Sequence, residues 1–513
     1  MEKKYLLGFD CGTNESKGVL ITAGGELLKM ARRPHQLISP QPGYAEHDPI
    51  KTWWKDFCEI IKELFETTGV SPAAVAGIGI STVMAGITPV DRSGNPLRNA
   101  ILYGIDQRCT NQAAELNEAV GEAGMQEWAG QNMDIEMFGP KILWIREKEP
   151  EIFQRTFKFT IASGFLTARL TGRYCVDRYS AMAAQPMLNR RTMRWDEEMC
   201  RLVCPREMLP DIMQTTDVIG GVTAKAAAET GLAEGTPVIC GTTDAGAEAV
   251  SVGVVRPEEM MVMYGSTTFF IYTTETYRDH TGMWAGDYTI PGLYCNSGGM
   301  ATTGSLTKWL RDVTAKELLQ EELAGGENAY AALFREAETV PLGSHGVMIL
   351  PYFMGERMPI RDPLASGLIL GLDLNKTRGD LVRAAFEGIG YGICQNLDLL
   401  RAQGADMSNL IAVGGGTKTR QWMQIVSDIC GVKQSIPEIS FGASYGDALL
   451  AGLGVGLISS PEEIKQMIRI RYTVIPDPAK TAAYQPYREL FKKAYQNNRE
   501  LMHQLKQIEG GKR

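Results

Sequence analysis

The chain has 513 residues, of which 44% are hydrophobic and 22% are charged, and its formal net charge is −8. This length predicts at least two large domains, and the composition is that of an ordered globular protein. The acidic balance argues against a nucleic-acid-binding face, although backbone amides, a few cations and Mg²⁺ can still hold an anionic nucleotide locally.

Targeting and redox signals favour a cytoplasmic protein. Asp10 interrupts the first apolar run too early for a signal peptide, and residues 448–458 are too few to span a membrane. The ten cysteines are scattered, and Cys200 and Cys204 lack a matching pair of ligands nearby, so we expect reduced thiols and no zinc site.

The first half of the chain reads as strands followed by a helix. Residues 5–10, 18–22 and 26–32 are three candidate strands joined by turns, and the first of these turns is unusually polar. Residues 49–66 have helical spacing, and residues 75–81 form a buried strand. Alternation of this kind predicts an α/β architecture.

A similar order recurs in the second half. Strands are predicted at 259–264 and 269–272 around a turn at 265–268, with a later strand at 410–413 and helices at 378–403, 419–431 and 443–457. The polar turns at 12 and 265 are therefore predicted to be equivalent points of a duplicated unit. We place the boundary between 247 and 248, the second unit at 248–508 and a disordered tail at 509–513.

Asp10 ends the first predicted strand and precedes a turn of small polar residues, Cys11 to Asn14, with Lys17 beyond it. Consecutive backbone N–H groups in such a turn can bind phosphate oxygens, and a neighbouring carboxylate can hold Mg²⁺ through water. The same residues are also compatible with an ordinary hairpin and a capping aspartate.

Three later segments have related chemistry. The turn 265–268 repeats the form of the first turn, and Asp244 follows the apolar run 237–240, where it is either a catalytic carboxylate or a helix N-cap. The glycines 414–416 let a flat ring or a phosphate approach the backbone.

Several other kinds of site are disfavoured. The chain has no P-loop, and the glycines at 414–416 do not form a GxGxxG pattern, which argues against Walker and Rossmann nucleotide sites. None of the five histidines has metal-ligand spacing to another, which argues against a zinc hydrolase or a histidine-based triad.

Taken together, these segments resemble the motifs of the FGGY carbohydrate kinases over essentially the full chain, most closely the xylulokinase-type branch. The resemblance depends on seven segments. They are phosphate motifs at 10–17 and 265–268, a nucleotide stretch at 303–312, an adenosine motif at 414–418, signatures at 367–387 and 138–145, and a branch marker at 355–359.

The resemblance implies an α/β fold of two actin-like (ribonuclease H-like) domains with a catalytic cleft between them. It implies that the domain 1–247 binds a small sugar and supplies the base, and that 248–508 binds ATP. Asp244 then corresponds to the catalytic base and Asp10 to the carboxylate associated with Mg²⁺. The residues implied for ATP are Thr13, Asn14, Lys17, Ser266, Thr267, Gly304, Lys308, Gly415 and Gly416. Those implied for the sugar, besides Asp244, are Met84, Ala85, Asp106 and Arg108.

One departure leaves the sugar open. The xylulokinase pattern has a histidine after Met84, and this chain has Ala85, which removes a polar contact to the sugar. A pentulose such as xylulose is expected, and another polyol, a six-carbon ketose or a signalling sugar is the alternative. Arg108 is also compatible with a helix-end ion pair.

Two non-metabolic functions are disfavoured. A silent actin-like sensor is disfavoured because Asp10 and Asp244 are both retained, and an actin-like ATPase acting on proteins is disfavoured by the full set of carbohydrate-kinase motifs. The expected partner is a small sugar or polyol, with no nucleic acid and no membrane, in a homodimer.

Overall fold

The computed structural model describes residues 4–84, 86–278, 283–438 and 441–510. It contains two seven-stranded mixed sheets. In the first sheet the order is Val218–Gly221, Pro237–Ile239, Val75–Thr82, Tyr5–Cys11, Glu15–Thr22 and Leu27–Pro34, and Thr242–Thr243 also pairs with Val75–Thr82. In the second sheet the order is Trp284–Asp287, Tyr294–Met300, Thr268–Thr274, Glu259–Tyr264, Asn409–Val413, Gln434–Pro437 and Ile470–Val474.

The two sheets repeat one strand arrangement. Tyr5–Cys11 is antiparallel to the next strand and parallel to Val75–Thr82, and Glu259–Tyr264 is antiparallel to the next strand and parallel to Asn409–Val413. The two polar turns therefore occupy equivalent positions, as predicted, because each turn joins the two strands of its sheet that come first in the chain.

Helices cover both sheets, as expected for strands that are buried on both faces. The α-helices are Lys55–Thr68, Thr110–Val120, Glu122–Ala129, Phe138–Lys148, Pro150–Arg155, Ala162–Thr171, Arg178–Ala181, Glu197–Val203, Ala224–Thr230, Asp244–Ser251, Gly304–Thr314, Lys316–Leu323, Ala329–Glu336, Arg378–Arg401, Arg420–Cys430, Ala443–Gly454, Pro461–Met467 and Pro478–Gly510. Shorter helical turns are Pro49–Trp54, Pro72–Ala74, Arg206–Met208, Ser344–Gly346 and Gly415–Lys418. Short strands outside the sheets are Glu46–His47, Thr88–Val90, Ala100–Ile101, Lys158–Thr160, Cys175–Asp177, Leu188–Asn189, Arg194–Trp195, Asp211–Met213, Met348–Leu350 and Leu368–Leu370.

The helix Ala443–Gly454 crosses from the second half of the chain onto the first sheet. It packs so closely that a Cβ on Gly8 would lie 1.9 Å from the Ser444 carbonyl oxygen, and one on Gly79 would lie 2.1 Å from the Asp447 carbonyl oxygen. Its Gly446 packs in the same way against Ala247 in the helix Asp244–Ser251. Glycines at these positions let the two halves share one buried core at the base of the cleft.

Two further predictions concern the ends of the units. The boundary placed between 247 and 248 falls inside the helix Asp244–Ser251. The last helix is described to Gly510, so it includes the first two residues of the predicted tail 509–513, while 511–513 lie outside the described residues. Within the described part of the chain, no helix is both long and apolar enough to cross a membrane.

Candidate active site

A large cleft lies between the two halves of the molecule. Its volume is about 1870 Å³, and its lining includes Asp10 and Asp244 from the first half and Thr267 and Gly415 from the second. A pocket for one small ligand measures roughly 300–1,000 Å³, so this cleft has room for two ligands side by side.

Asp10 lies near the end of the strand Tyr5–Cys11, where the parallel strand Val75–Thr82 also ends. Burial raises the pKa of the Asp10 carboxyl well above its ordinary value of 3.8, and the negative charge of Asp244 raises it further. Lys17 lines the same cleft, and its positive charge lowers the pKa of Asp10. A buried carboxylate of this kind is stabilised by a cation brought close to it.

Asp244 opens the helix Asp244–Ser251 and faces the same cleft. Its Oδ1 accepts a hydrogen bond of 2.8 Å from the backbone N–H of Ala245. The N-cap position belongs to Thr243, so Asp244 is not the cap that the sequence left open as an alternative. Burial raises the pKa of Asp244 from 3.8 to about 6, and the negative charge of Glu248 adds to the rise. The side chain is therefore ionised at neutral pH and basic enough to accept a proton.

Glu248 is a cleft residue that the sequence reasoning missed. It lies four residues after Asp244 in the same helix, and it lines the cleft. The sequence could have indicated Glu248, because residues four apart in a helix lie on the same face and Asp244 was already a candidate.

A third buried carboxyl group lies behind Asp10. The Ser81 hydroxyl oxygen is 3.3 Å from Asp10 Oδ1 and 2.7 Å from Asp447 Oδ2. Asp447 belongs to the helix Ala443–Gly454 of the second half, and burial raises its pKa well above 3.8. Because a hydroxyl carries one proton, Ser81 donates to only one of the two carboxylates at a time. Ser81 therefore connects the two halves directly behind the cleft.

The second polar turn is fixed by the start of the helix Gly304–Thr314. Gly304 N–H donates to the Gly265 carbonyl at 2.9 Å, and the Ser266 carbonyl accepts from Thr303 and Ser305. A Cβ on Gly304 would lie 2.6 Å from the Gly265 oxygen, so only glycine fits this approach. The helix N-terminus and the turn thus meet beside Thr267, in the cleft wall.

The glycine segment after Asn409–Val413 is an open part of the wall. Gly414 and Gly415 line the cleft, and a Cβ on Gly415 would meet no atom within 4 Å. Gly416 instead packs against Tyr264 and Trp422. A flat ring can therefore approach the backbone at Gly415.

Some of the residues expected in contact with ligands have other partners. Met84 lines the cleft, but Asp106 and Arg108 form a buried ion pair of 2.7 Å behind it. Arg108 also pairs with Glu46 at 2.8 Å. The ion-pair alternative for Arg108 therefore describes the structure, and with Asp106 it frames the pocket without lining it. Ala85 lies outside the described residues.

On the nucleotide side, Lys308 is 62% exposed and pairs with Asp312 at 2.5 Å on the helix surface. Thr13 Oγ1 lies 3.1 Å from the Tyr103 hydroxyl, and Asn14 is exposed. The described lining of the cleft includes Lys17 and Thr267 but not Thr13, Asn14, Ser266, Gly304, Lys308 or Gly416.

The cleft also holds charged residues that were not assigned a role from the sequence. Asp134 lines the cleft, and burial raises its pKa to about 6. Glu136 in the first half pairs with Arg357 in the second half at 3.7 Å. Arg357 lies in the segment 355–359 that the sequence had marked, but nothing in the sequence identified its partner.

Comparisons with known proteins agree with this arrangement. Residues 5–251 match the N-terminal domain, and residues 260–455 the C-terminal domain, of the FGGY family of carbohydrate kinases. The chain is 28% identical over 508 residues to the xylulose kinase of Bacillus subtilis, covering 98% of this chain and 99% of that protein. It is also 28% identical over 515 residues to the autoinducer-2 kinase of Salmonella paratyphi A, covering 97% and 95%.

Among solved structures, the xylulose kinase from Rhodospirillum rubrum superimposes with a TM-score of 0.90 at 29% identity, covering 98% of this chain and 100% of that one. The predicted resemblance to the xylulokinase-type branch and the predicted fold of two actin-like domains are confirmed. The two family models together span most of the sequence, and this chain therefore belongs to the FGGY family of carbohydrate kinases.

Proposed function

We propose that this kinase transfers the γ-phosphate of Mg-ATP to a hydroxyl of a pentulose, xylulose or a close relative. The observation that carries the proposal is the common cleft in which Asp10 and Asp244 face Thr267 and Gly415 of the other half. Phosphoryl transfer needs in-line positioning, charge neutralisation and a base for the acceptor hydroxyl. Asp244 is suited to be the base, and Lys17 in the same lining, with a metal ion held at Asp10, would neutralise phosphate charge.

Asp244 is the proposed base. As the new bond forms between the sugar oxygen and the γ-phosphorus, the bond to the bridging oxygen of ADP breaks, and the hydroxyl proton passes to the Asp244 carboxylate. A pKa of about 6 leaves this group ionised at pH 7 yet able to take the proton late in the transfer.

Asp10 is the proposed metal-associated carboxylate. Mg²⁺ usually binds through one or two carboxylates together with phosphate oxygens and water. Among the described residues no group of three or more His, Cys, Asp or Glu side chains is arranged to hold a metal, which fits an ion that arrives with the nucleotide. When bound, the ion would neutralise phosphate charge. Asp10 would hold it, and Lys17 would add a second positive charge.

The remaining assignments form one proposal. We assign the sugar to the wall of the first domain, 1–247, at Met84 and Ala85 with Asp106 and Arg108 behind it. We assign the nucleotide to the second domain, 248–508. Phosphates lie between the turn that carries Thr13 and Asn14 and the turn that carries Ser266 and Thr267, beside the helix start at Gly304. The adenine lies at Gly415 and Gly416, and Lys308 reaches the nucleotide when the domains close. The ten free cysteines favour a reducing, cytoplasmic location. The protein is proposed to be a homodimer, and light scattering on the purified protein would test this.

The test is a coupled kinase assay over a panel of ketoses and polyols. Turnover that depends on an added pentulose would support the proposal, and nucleotide turnover indifferent to every sugar would contradict it. The second candidate substrate is a signalling sugar, because the Salmonella relative named an autoinducer-2 kinase is 28% identical to this chain, as is the Bacillus xylulose kinase. Ala85 in place of the expected histidine favours including it in the panel.

A further inference from the structure

Two buried histidines lie beneath the first phosphate turn, residues 12–14. His35 follows the strand Leu27–Pro34, and His47 ends the short strand Glu46–His47. Their rings meet edge to face with centroids 4.9 Å apart. His35 Nε2 lies 3.1 Å from the Gly12 carbonyl oxygen, and His47 Nε2 lies 3.1 Å from the Thr13 carbonyl oxygen. We propose that His35 and His47 are positioning residues that hold this turn in its phosphate-binding conformation, an inference that rests on the proposed role of the turn.

The hydrogen bonds of His47 fix which of its nitrogens carries the proton. Trp53 Nε1–H can only donate, and it lies 3.0 Å from His47 Nδ1. Nδ1 must therefore be the acceptor, and Nε2–H donates to the Thr13 carbonyl. Burial lowers the pKa of His47 to about 4, so this neutral form persists at neutral pH.

The surroundings of His35 differ, because both of its ring nitrogens face acceptors. Nδ1 lies 2.9 Å from Asp56 Oδ2, and Nε2 faces the Gly12 carbonyl. A carboxylate and a carbonyl only accept hydrogen bonds, so the ring that satisfies both contacts carries two protons. Asp56 is itself held by the Ser16 hydroxyl at 2.9 Å. The side chains of His35 and Asp56 are each only 8% exposed, so this pair is shielded from water directly behind the turn.

These contacts orient the N–H groups of the turn. In a planar trans peptide the C=O and the N–H point in opposite directions. When the histidines hold the Gly12 and Thr13 carbonyls inward, the N–H groups of Thr13 and Asn14 are turned outward. The Asn14 carbonyl is held as well, by the backbone N–H of His35 at 2.9 Å. Successive outward N–H groups bind anions, and fixing them beforehand avoids reorganisation when the phosphates arrive.

The proton positions give a test that separates orientation from packing. Glutamine at position 47 can accept from Trp53 through its oxygen and donate to the Thr13 carbonyl through its amide, so His47→Gln should retain the wild-type affinity for Mg-ADP. His47→Ala should lose about tenfold, as expected for a hydrogen bond that orients a binding group. At position 35 a glutamine oxygen would face either Asp56 or Gly12, so His35→Gln should lose as much as His35→Ala.

Titration calorimetry with Mg-ADP measures the affinity without any sugar. In the kinase assay the same three deficient variants should raise the KM for Mg-ATP and leave the KM for the sugar unchanged. Loss of a buried hydrogen-bonded side chain should also lower their melting temperatures, so all affinities are measured well below the unfolding transition. His345→Ala is the matched control, because His345 pairs with Asp380 at 2.7 Å outside the described cleft lining, and it should change neither KM.

Three results would overturn the proposal: unchanged Mg-ADP affinity in His47→Ala and His35→Ala, equal loss in His47→Gln and His47→Ala, or parallel rises in both KM values. If an alanine variant does not fold, the comparison of His47→Gln with His35→Gln still decides, since only the second should lose affinity. A wild-type protein that binds Mg-ADP but shows no sugar-dependent turnover would contradict the proposed function and leave this test in place.

Discussion

Replacing Asp244 by asparagine keeps the shape of the side chain and an oxygen that can accept from the Ala245 N–H, but it removes the proposed base. A positioned general base contributes about 10²–10⁴ in rate, or roughly 3–5 kcal/mol of barrier. We expect kcat to fall by that factor while the affinity for Mg-ATP stays near that of the wild type. The wild type should lose kcat/KM as the pH falls through about 6, because the base is then protonated.

The same substitution should stabilise the fold at neutral pH. Burial raises the pKa of Asp244 from 3.8 to about 6, so the folded protein binds this proton more tightly than the unfolded chain does. The contribution of Asp244 to stability is therefore present below about pH 4 and is lost as the pH rises through about 6, and asparagine removes that loss. A shift of about two units corresponds to ~3 kcal/mol. Because the side chain is only half-buried at the cleft wall, solvent screening reduces the expected gain to about 1–2 kcal/mol.

Urea unfolding at pH 4.5 and pH 7.5 would measure this gain, which should be largest at the higher pH. Glu248→Gln is the matched control, because it removes a cleft carboxylate one turn away in the same helix. It should cost less than about tenfold in kcat, and it should move the acid limb of the profile to lower pH, since Glu248 raises the pKa of Asp244. Substantial turnover in Asp244→Asn, or a variant less stable than the wild type at pH 7.5, would refute the reasoning.

Three further substitutions test the cleft. Asp10→Asn should raise the KM for Mg-ATP by about tenfold or more without weakening sugar binding by calorimetry, because it removes a charge-assisted contact to the nucleotide-borne cation; unchanged Mg-ATP affinity would contradict the assignment. Lys308→Ala should raise the KM for Mg-ATP by about tenfold, because the proposed function brings this cation to the nucleotide when the domains close; a change of less than about twofold would contradict that assignment and leave Lys308 in its exposed ion pair with Asp312. Gly446→Ala should destabilise the protein by about 2 kcal/mol or more in urea, because the new Cβ would lie 1.9 Å from the Ala247 carbonyl oxygen; Gly24→Ala, which has room for a Cβ, is its control.

Local sequence signals predicted much of the fold. The strand Glu259–Tyr264 has the bounds expected from its apolar run, and the helix Arg378–Arg401 ends two residues before its prediction. The predicted helix at 49–66 instead starts with the wider turn Pro49–Trp54, capped by Asp48, and its α-helical part continues to Thr68. Periodicity therefore identified these elements but not their ends, which depend on individual capping contacts.

The sequence likewise predicted some residues of the candidate site and not others. Asp10 and Asp244 could be found because each follows an apolar strand and lies beside small residues, and both line the cleft. Nothing local identified Glu46, 62 positions away, as a partner of Arg108, and nothing local marked the histidines at 35 and 47. Such side chains acquire their roles from neighbours that the chain brings close only on folding.

The sequence by itself determined the duplicated α/β unit, the order of the kinase motifs and the two acidic side chains of the proposed chemistry, because strand period, turn residues and motif spacing are local properties. Only the tertiary structure decided that the helix Ala443–Gly454 crosses to the first sheet and brings Asp447 to Ser81 and Asp10. It likewise decided which carbonyls His35 and His47 hold. Contacts between residues far apart in the chain depend on the packing of whole elements, and the residue types involved are too common to reveal them in advance.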